Sequence, residues 1–216
     1  MQEKLTITTF TDPMMGLTYE CEPIYEKLES AYPQIGFRWV MSLLVRDVSD
    51  FMLHGESIEE YNRRLAKIYE SESAVGGLPI NMPDLRLFDS THRSSKPLCL
   101  AYKAAQLADI DKADEFLTNL RHATVVDVRP TTHFDEILRV VRNTGINEDA
   151  FIMHYKDGSA ETALSEDIAL TRELGIRTLP SYMIQYGENM VIVRSLIDYE
   201  NFVSIIEQLR KQEGNL

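Results

Sequence analysis

With 216 residues, 44% of them hydrophobic and 26% charged, the chain is long enough to bury a sizeable core without disulfide staples, and its composition is that of a globular protein. Its 34 acidic residues outweigh 22 basic ones for a net charge of −12, and no Lys/Arg cluster interrupts that balance, so neither nucleic acid nor an anionic membrane is an expected partner. The opening MQEKLTITTF lacks a basic stretch followed by an apolar run, and the longest apolar run, Trp39 to Val45, is far short of a membrane span; a cytoplasmic location is expected.

Residues 4–10 (KLTITTF) alternate and are rich in β-branched side chains, the pattern of a strand, and Thr11-Asp12-Pro13 follows as a turn. From Gly16 the apolar positions Leu17, Cys21, Ile24, Tyr25, Leu28 and Tyr32 recur at helical spacing until Pro33 ends the run. Residues 35–45 read as a second strand, and the crossover between the two favours a parallel pair. Ser57 is placed to cap a helix reaching about Glu70, whose Arg63-Arg64 pair reads as a solvated face, and Val75 to Ser94, with Gly76-Gly77, Pro79 and Pro83, reads as an irregular loop.

KPLCLAYKAAQLAD, residues 96–109, is a helix with Pro97 in its first turn. Asp111 is expected to cap a helix to about His122, Thr132 one that ends near Gly145, and Asn147 a further stretch broken near Gly158 and ended at Gly175. Strand character returns at Ser181–Tyr186 and Met190–Ser195, joined through Gly187-Glu188-Asn189, and Asp198 caps a last helix with the stripe Phe202, Ile205, Ile206 and Leu209. The order is thus β-α-β, a helical block, then β-β-α. Each outer piece is half a sheet, so the two complete one another and the helical block becomes an insertion.

Four segments in this order resemble the DsbA-like thioredoxin proteins, and within them the FrnE-like branch and the adaptors that present a transcription regulator to the ClpXP protease. FTDPMMGLTYECEP is similar to the strand–DPxCxxC–helix of that family, with Met15 and Thr18 where the two cysteines would stand. Pro23 lies where these folds carry a helix-kinking proline; KPLCLAYKAAQLAD is similar to the helix that opens the inserted helical segment; GIRTLPSYMI is similar to the loop holding a cis-proline, here Pro180. The resemblance implies an α/β thioredoxin-like fold, with residues 1–56 and 174–216 as the thioredoxin-like domain and residues 57–173 as a helical insertion.

The departure from the motif bears on function. Methionine has no ionisable proton and takes no part in thiol–disulfide exchange, and Thr18 cannot resolve a mixed disulfide, so dithiol chemistry is excluded at these positions. No catalytic residue is expected there. The resemblance instead implies a surface that binds a peptide or protein partner, formed by Met14, Met15, Gly16, Leu17 and Thr18 with Tyr19 beside them, and by Thr178, Leu179 and Pro180, where extended peptides pair beside the cis-proline. A packing role for Met15, filling the space of the lost dithiol, is the competing expectation.

Two enzyme readings stand beside this one. Relatives that use glutathione carry a serine at the first motif position, a role Met15 cannot fill and Thr18 would have to take; glutathione is the one cofactor the resemblance allows, and otherwise none is expected. Alternatively Cys21 or Cys99 supplies unconventional thiol chemistry, although Cys21 lies on the apolar stripe as a small buried hydrophobe and the two form no CxxC, metal pattern or expected disulfide. His54, His92, His122, His133 and His154 share no metal-ligand spacing and are expected in surface or core roles, and Asp12 is expected to shape its turn.

Overall fold

The computed structural model describes residues 5–72, 78 and 85–213. Strand β1 (Leu5–Thr11) runs parallel to β2 (Ile35–Met41), antiparallel to β3 (Ser181–Tyr186), and β3 in turn antiparallel to β4 (Asn189–Val193), giving one sheet in the order β2-β1-β3-β4. The two halves of the chain meet at β1, where Thr9 sits opposite Trp39 on one side and Tyr182 on the other. This is the expected thioredoxin-like α/β arrangement.

Both faces of the sheet are covered, which is why β1 is buried along nearly its whole length. On one face Ile7, Trp39, Tyr182 and Ile184 pack with Tyr25, Leu28, Phe202 and Ile206; on the other Phe10 and Val40 pack with Ile176, Leu170 and Leu174. Between β2 and β3 the described residues form six α-helices, α3 (Ile58–Glu72), α4 (Lys96–Ala108), α5 (Ala113–Val125), α6 (Phe134–Thr144), α7 (Glu148–Lys156) and α8 (Ser159–Glu173), and α9 (Tyr199–Glu213) follows β4. Ala101, Ala104 and Ala105 keep α4 narrow, so that α7 and α8 both pack closely against it.

Several local expectations are corrected by the structure. The single helix expected from Gly16 to Tyr32 is two, α1 (Gly16–Glu20) and α2 (Glu22–Ala31), with the break at Cys21, because Pro23 brings no N–H to the Tyr19 carbonyl. Strand β2 stops at Met41, not Val45. Leu43 adopts a positive φ of 50°, and the Leu44 N–H is drawn to the Asp12 carboxylate. Asp111 lies inside a one-turn 3-10 segment, Ile110–Lys112, that leads into α5 and does not cap it. Thr132 does not cap α6 either: its hydroxyl donates 2.6 Å to the Leu87 carbonyl, and His133 is the cap position.

Other signals work as read. Ser57 and Glu60 form a capping box at the start of α3, Asn147 accepts from the Ala150 N–H, Gly145 ends α6 in the left-handed region at φ 72°, and Asp198 accepts from the Asn201 N–H. Residues 85–94 carry no helix or strand; Lys4, which opens the expected first strand, and residues 75–77 and 79–84 of the expected loop lie outside the described residues. No described helix is long and apolar enough to cross a membrane.

Candidate functional site

The turn after β1 is held from behind by Asp12. Its side chain is fully buried and accepts hydrogen bonds from the N–H of Met14 (3.1 Å) and of Leu44 (2.8 Å), from the Ser95 hydroxyl (2.6 Å) and from the Cys99 thiol (3.4 Å). Burial pushes the Asp12 carboxyl above its ordinary value, although Ser95, Leu44, Met14 and Cys99 all pull the other way. The carboxylate thereby ties β1 to the segment after β2 and to the start of α4.

In front of the turn lies an apolar concavity of about 220 Å³. Met14, Met15, Gly16 and Leu17 form its floor, Leu44 and Val45 one side, Phe51 and the α3 side chains Tyr61, Arg64, Leu65 and Ile68 the far wall, and Leu179 the edge nearest β3. Met14 and Met15 are buried, whereas Leu17 and Leu179 are half-buried and Phe51 and Ile68 stand 44% and 42% exposed at the rim. Arg64 is not the plain solvated residue its sequence setting implied. Its guanidinium forks onto Glu56 at 2.8 and 2.9 Å and donates to the Phe51 carbonyl at 2.8 Å, pinning the rim loop to α3.

Of the residues named from sequence, Met14, Met15, Gly16, Leu17 and Leu179 meet in this concavity. Thr18 does not. It points inward, fully buried, with its hydroxyl 2.8 Å from that of Thr11, so it does not sit on an exposed surface. Thr178 is exposed, with its carbonyl accepting 2.6 Å from the Ser181 hydroxyl, and Pro180 is buried behind a cis Leu179–Pro180 bond. Tyr19 is buried, against the expectation of a surface position. Met15 is thus buried and at the same time floors a concavity.

Both cysteines are free and buried, as reading the first as a small hydrophobe implied. Burial pushes the Cys21 thiol up to about 11, and burial together with the neighbouring Asp12 carboxylate raises Cys99 well above its usual value. A thiol so shifted offers almost no thiolate near neutral pH.

Reading the chain alone missed the α3 wall. Its signal is present as Tyr61, Arg64, Leu65 and Ile68, spaced as one helical face, but such a stripe is indistinguishable from an ordinary core contact until Leu17 and Leu179 are seen across from it.

A family model described as thioredoxin matches residues 8–203. Among curated proteins, the ClpXP adapter protein SpxH of Shouchella clausii is 28% identical over 186 residues, covering 84% of this chain and 58% of that protein. SpxH of Halalkalibacterium halodurans is 25% identical over 212 residues, covering 96% and 68% respectively. The chain thus spans little more than half the length of the first of these relatives. Among solved structures, one from Nitrosomonas europaea assigned as a candidate protein disulfide isomerase superposes with a TM-score of 0.80 at 15% identity, covering 97% of this chain and 99% of that one.

Proposed function

This chain belongs to the thioredoxin family, and we propose that it is an adaptor that holds an extended segment of a client protein at the surface where its relatives carry a dithiol, and delivers that client to a ClpXP-type protease. The observation that carries the reading is the apolar concavity floored by Met14 to Leu17 and edged by Leu179. Pockets that enclose whole small-molecule ligands measure roughly 300–1,000 Å³, so a volume of about 220 Å³ suits an apolar anchor side chain better than a complete cofactor. Two buried methionines back its floor with pliable side chains that can shift around an incoming anchor, which suits a peptide partner.

The backbone of Thr178 and Leu179, one edge of the same concavity, is the place for main-chain pairing with that segment. No cofactor is needed in this scheme, the partner is a protein rather than nucleic acid or membrane, and the cytoplasm is the compartment in which it operates. The glutathione reading is weakened by Thr18, the hydroxyl that would have to meet the ligand, because it is turned toward Thr11.

The test is a reconstituted degradation reaction with ClpX, ClpP, ATP and a client transcription regulator. The chain should accelerate loss of the client, Leu17→Asp and Leu179→Asp should each abolish the acceleration, and insulin disulfides should be reduced no faster than in buffer. Acceleration unaffected by both substitutions, or turnover of insulin, would overturn the proposal.

A further inference from the structure

On the other side of α3 from the apolar concavity, a broader groove of about 910 Å³ passes between that helix, residues 85–90 and the start of α6. Asp89, His92 and His133 come together beside it. Asp89 Oδ2 lies 3.0 Å from His92 Nδ1 and 2.8 Å from His133 Nε2, and one ligand-type atom from each of the three residues lies within 4.8 Å of the others. The imidazoles are stacked, with centroids 3.7 Å apart and planes 26° from parallel, so both rings direct a nitrogen at the same carboxylate oxygen.

The three positions are fixed by contacts that leave those atoms available. Asp89 Oδ1 accepts the backbone N–H groups of Thr91 and His92, each at 2.7 Å, which orients the carboxylate and leaves Oδ2 toward the rings. His133 is the N-cap residue of α6, with its carbonyl accepting from Glu136 and Ile137. The loop itself is anchored on both flanks. The Asn62 side chain pairs with both backbone groups of Phe88, the Thr132 hydroxyl holds the Leu87 carbonyl, and the Arg93 carbonyl receives the Val48 N–H. All three side chains are 30–43% exposed, so an ion can reach them from solvent.

We propose that Asp89, His92 and His133 bind a divalent transition metal of the zinc class, with the remaining coordination position taken by water. Two imidazole nitrogens and one carboxylate oxygen form a borderline donor set suited to zinc rather than to calcium or magnesium. Zinc takes imidazole nitrogen at about 2.0–2.1 Å and carboxylate oxygen at about 2.0–2.2 Å, which requires the ring nitrogens and Oδ2 to separate by about half an ångström and the stacked rings to turn so that both lone pairs meet at the ion. In the metal-free arrangement the ring N–H groups donate to the carboxylate. On binding, each imidazole proton passes through solvent to the other nitrogen of its ring, the freed lone pair goes to the metal, and no co-reactant is consumed. The bound ion joins the loop at residues 89–92 to the start of α6, across a gap in sequence of more than 40 residues.

The experiment is titration of untagged full-length protein with Co²⁺, followed by its visible d–d absorption and by competition with Zn²⁺, alongside thermal unfolding with and without Zn²⁺. One equivalent should bind, Zn²⁺ should displace it, and Zn²⁺ should raise the melting temperature. His92→Ala, His133→Ala and Asp89→Asn should each weaken binding by at least about tenfold and abolish the thermal shift, whereas His154→Ala should change neither. Asp89→Asn keeps an oxygen for the Thr91 and His92 N–H groups, so it separates loss of the ligand from loss of the loop. Absence of saturable binding, or full binding by a folded Asp89→Asn or His133→Ala protein, would overturn the assignment.

Discussion

Behind the β1–α1 turn lies a fully buried carboxylate with four hydrogen-bond donors around it; in front lies a concavity walled by methionine, leucine, phenylalanine and isoleucine. The rear continues into a second buried polar group. Lys103 pairs with Asp167 at 2.9 Å, and the same Asp167 oxygen accepts the Met41 N–H at the end of β2, also at 2.9 Å. The contrast separates what holds the frame from what meets a partner. Polar groups out of water fix the geometry, because each would be left unsatisfied if its neighbour moved, while the apolar side chains of the front surface carry no such constraint.

The rear should therefore break first. Lys103→Ala leaves Asp167 charged in a site where its side chain is 5% exposed, and should lower stability by about 3–5 kcal/mol, measured by urea unfolding. A loss below about 1 kcal/mol would mean that the pair is solvated in the folded protein and the contrast is weaker than drawn.

Asp12→Ala should come next, at about 2–3 kcal/mol, since it strands the Leu44 and Met14 N–H groups and the Ser95 hydroxyl while relieving a buried charge. The sign of its pH dependence follows from the raised carboxyl. The folded state holds the Asp12 proton to higher pH than the unfolded chain, so this group's contribution to stability is fully present at low pH and is lost as pH rises through the folded-state value. The stability difference between wild type and Asp12→Ala should consequently be larger at about pH 4 than at about pH 8. A difference that grows instead toward alkaline pH would show that the hydrogen bonds outweigh burial.

How much of this is readable from the chain depends on range. The Ser57 box and the Asn147 and Asp198 caps rest on neighbours a few residues apart, and local pattern is enough for them. Where Thr132 and Leu44 depart from expectation, a distant acceptor outcompetes the local one: the Leu87 carbonyl for the first, the Asp12 carboxylate for the second. The site divides in the same way. Met14 to Leu17 are contiguous and stand out by their resemblance to a thiol motif, whereas the α3 wall is recognisable only once Leu17 and Leu179 are seen opposite it. Asp89, His92 and His133 escape any test of metal-ligand spacing, because the third member arrives with α6 from another part of the chain.

The front surface offers the smallest effect on folding and the sharpest test of the contrast. Ile68 stands 42% exposed on α3 at the rim of the concavity. Replacing it by aspartate removes little buried area and places the new carboxylate one turn beyond Arg64, so unfolding should shift by no more than about 0.5 kcal/mol. The same charge at the rim must lose its water when an apolar anchor enters, and the charged side chain of the wall, Arg64, is already forked onto Glu56. Client delivery should therefore fall by at least an order of magnitude while the urea midpoint hardly moves. If Ile68→Asp instead unfolds the protein as readily as Asp12→Ala, α3 belongs to the frame and not to the docking face; if it changes neither property, the anchor enters elsewhere along the Leu17–Leu179 edge.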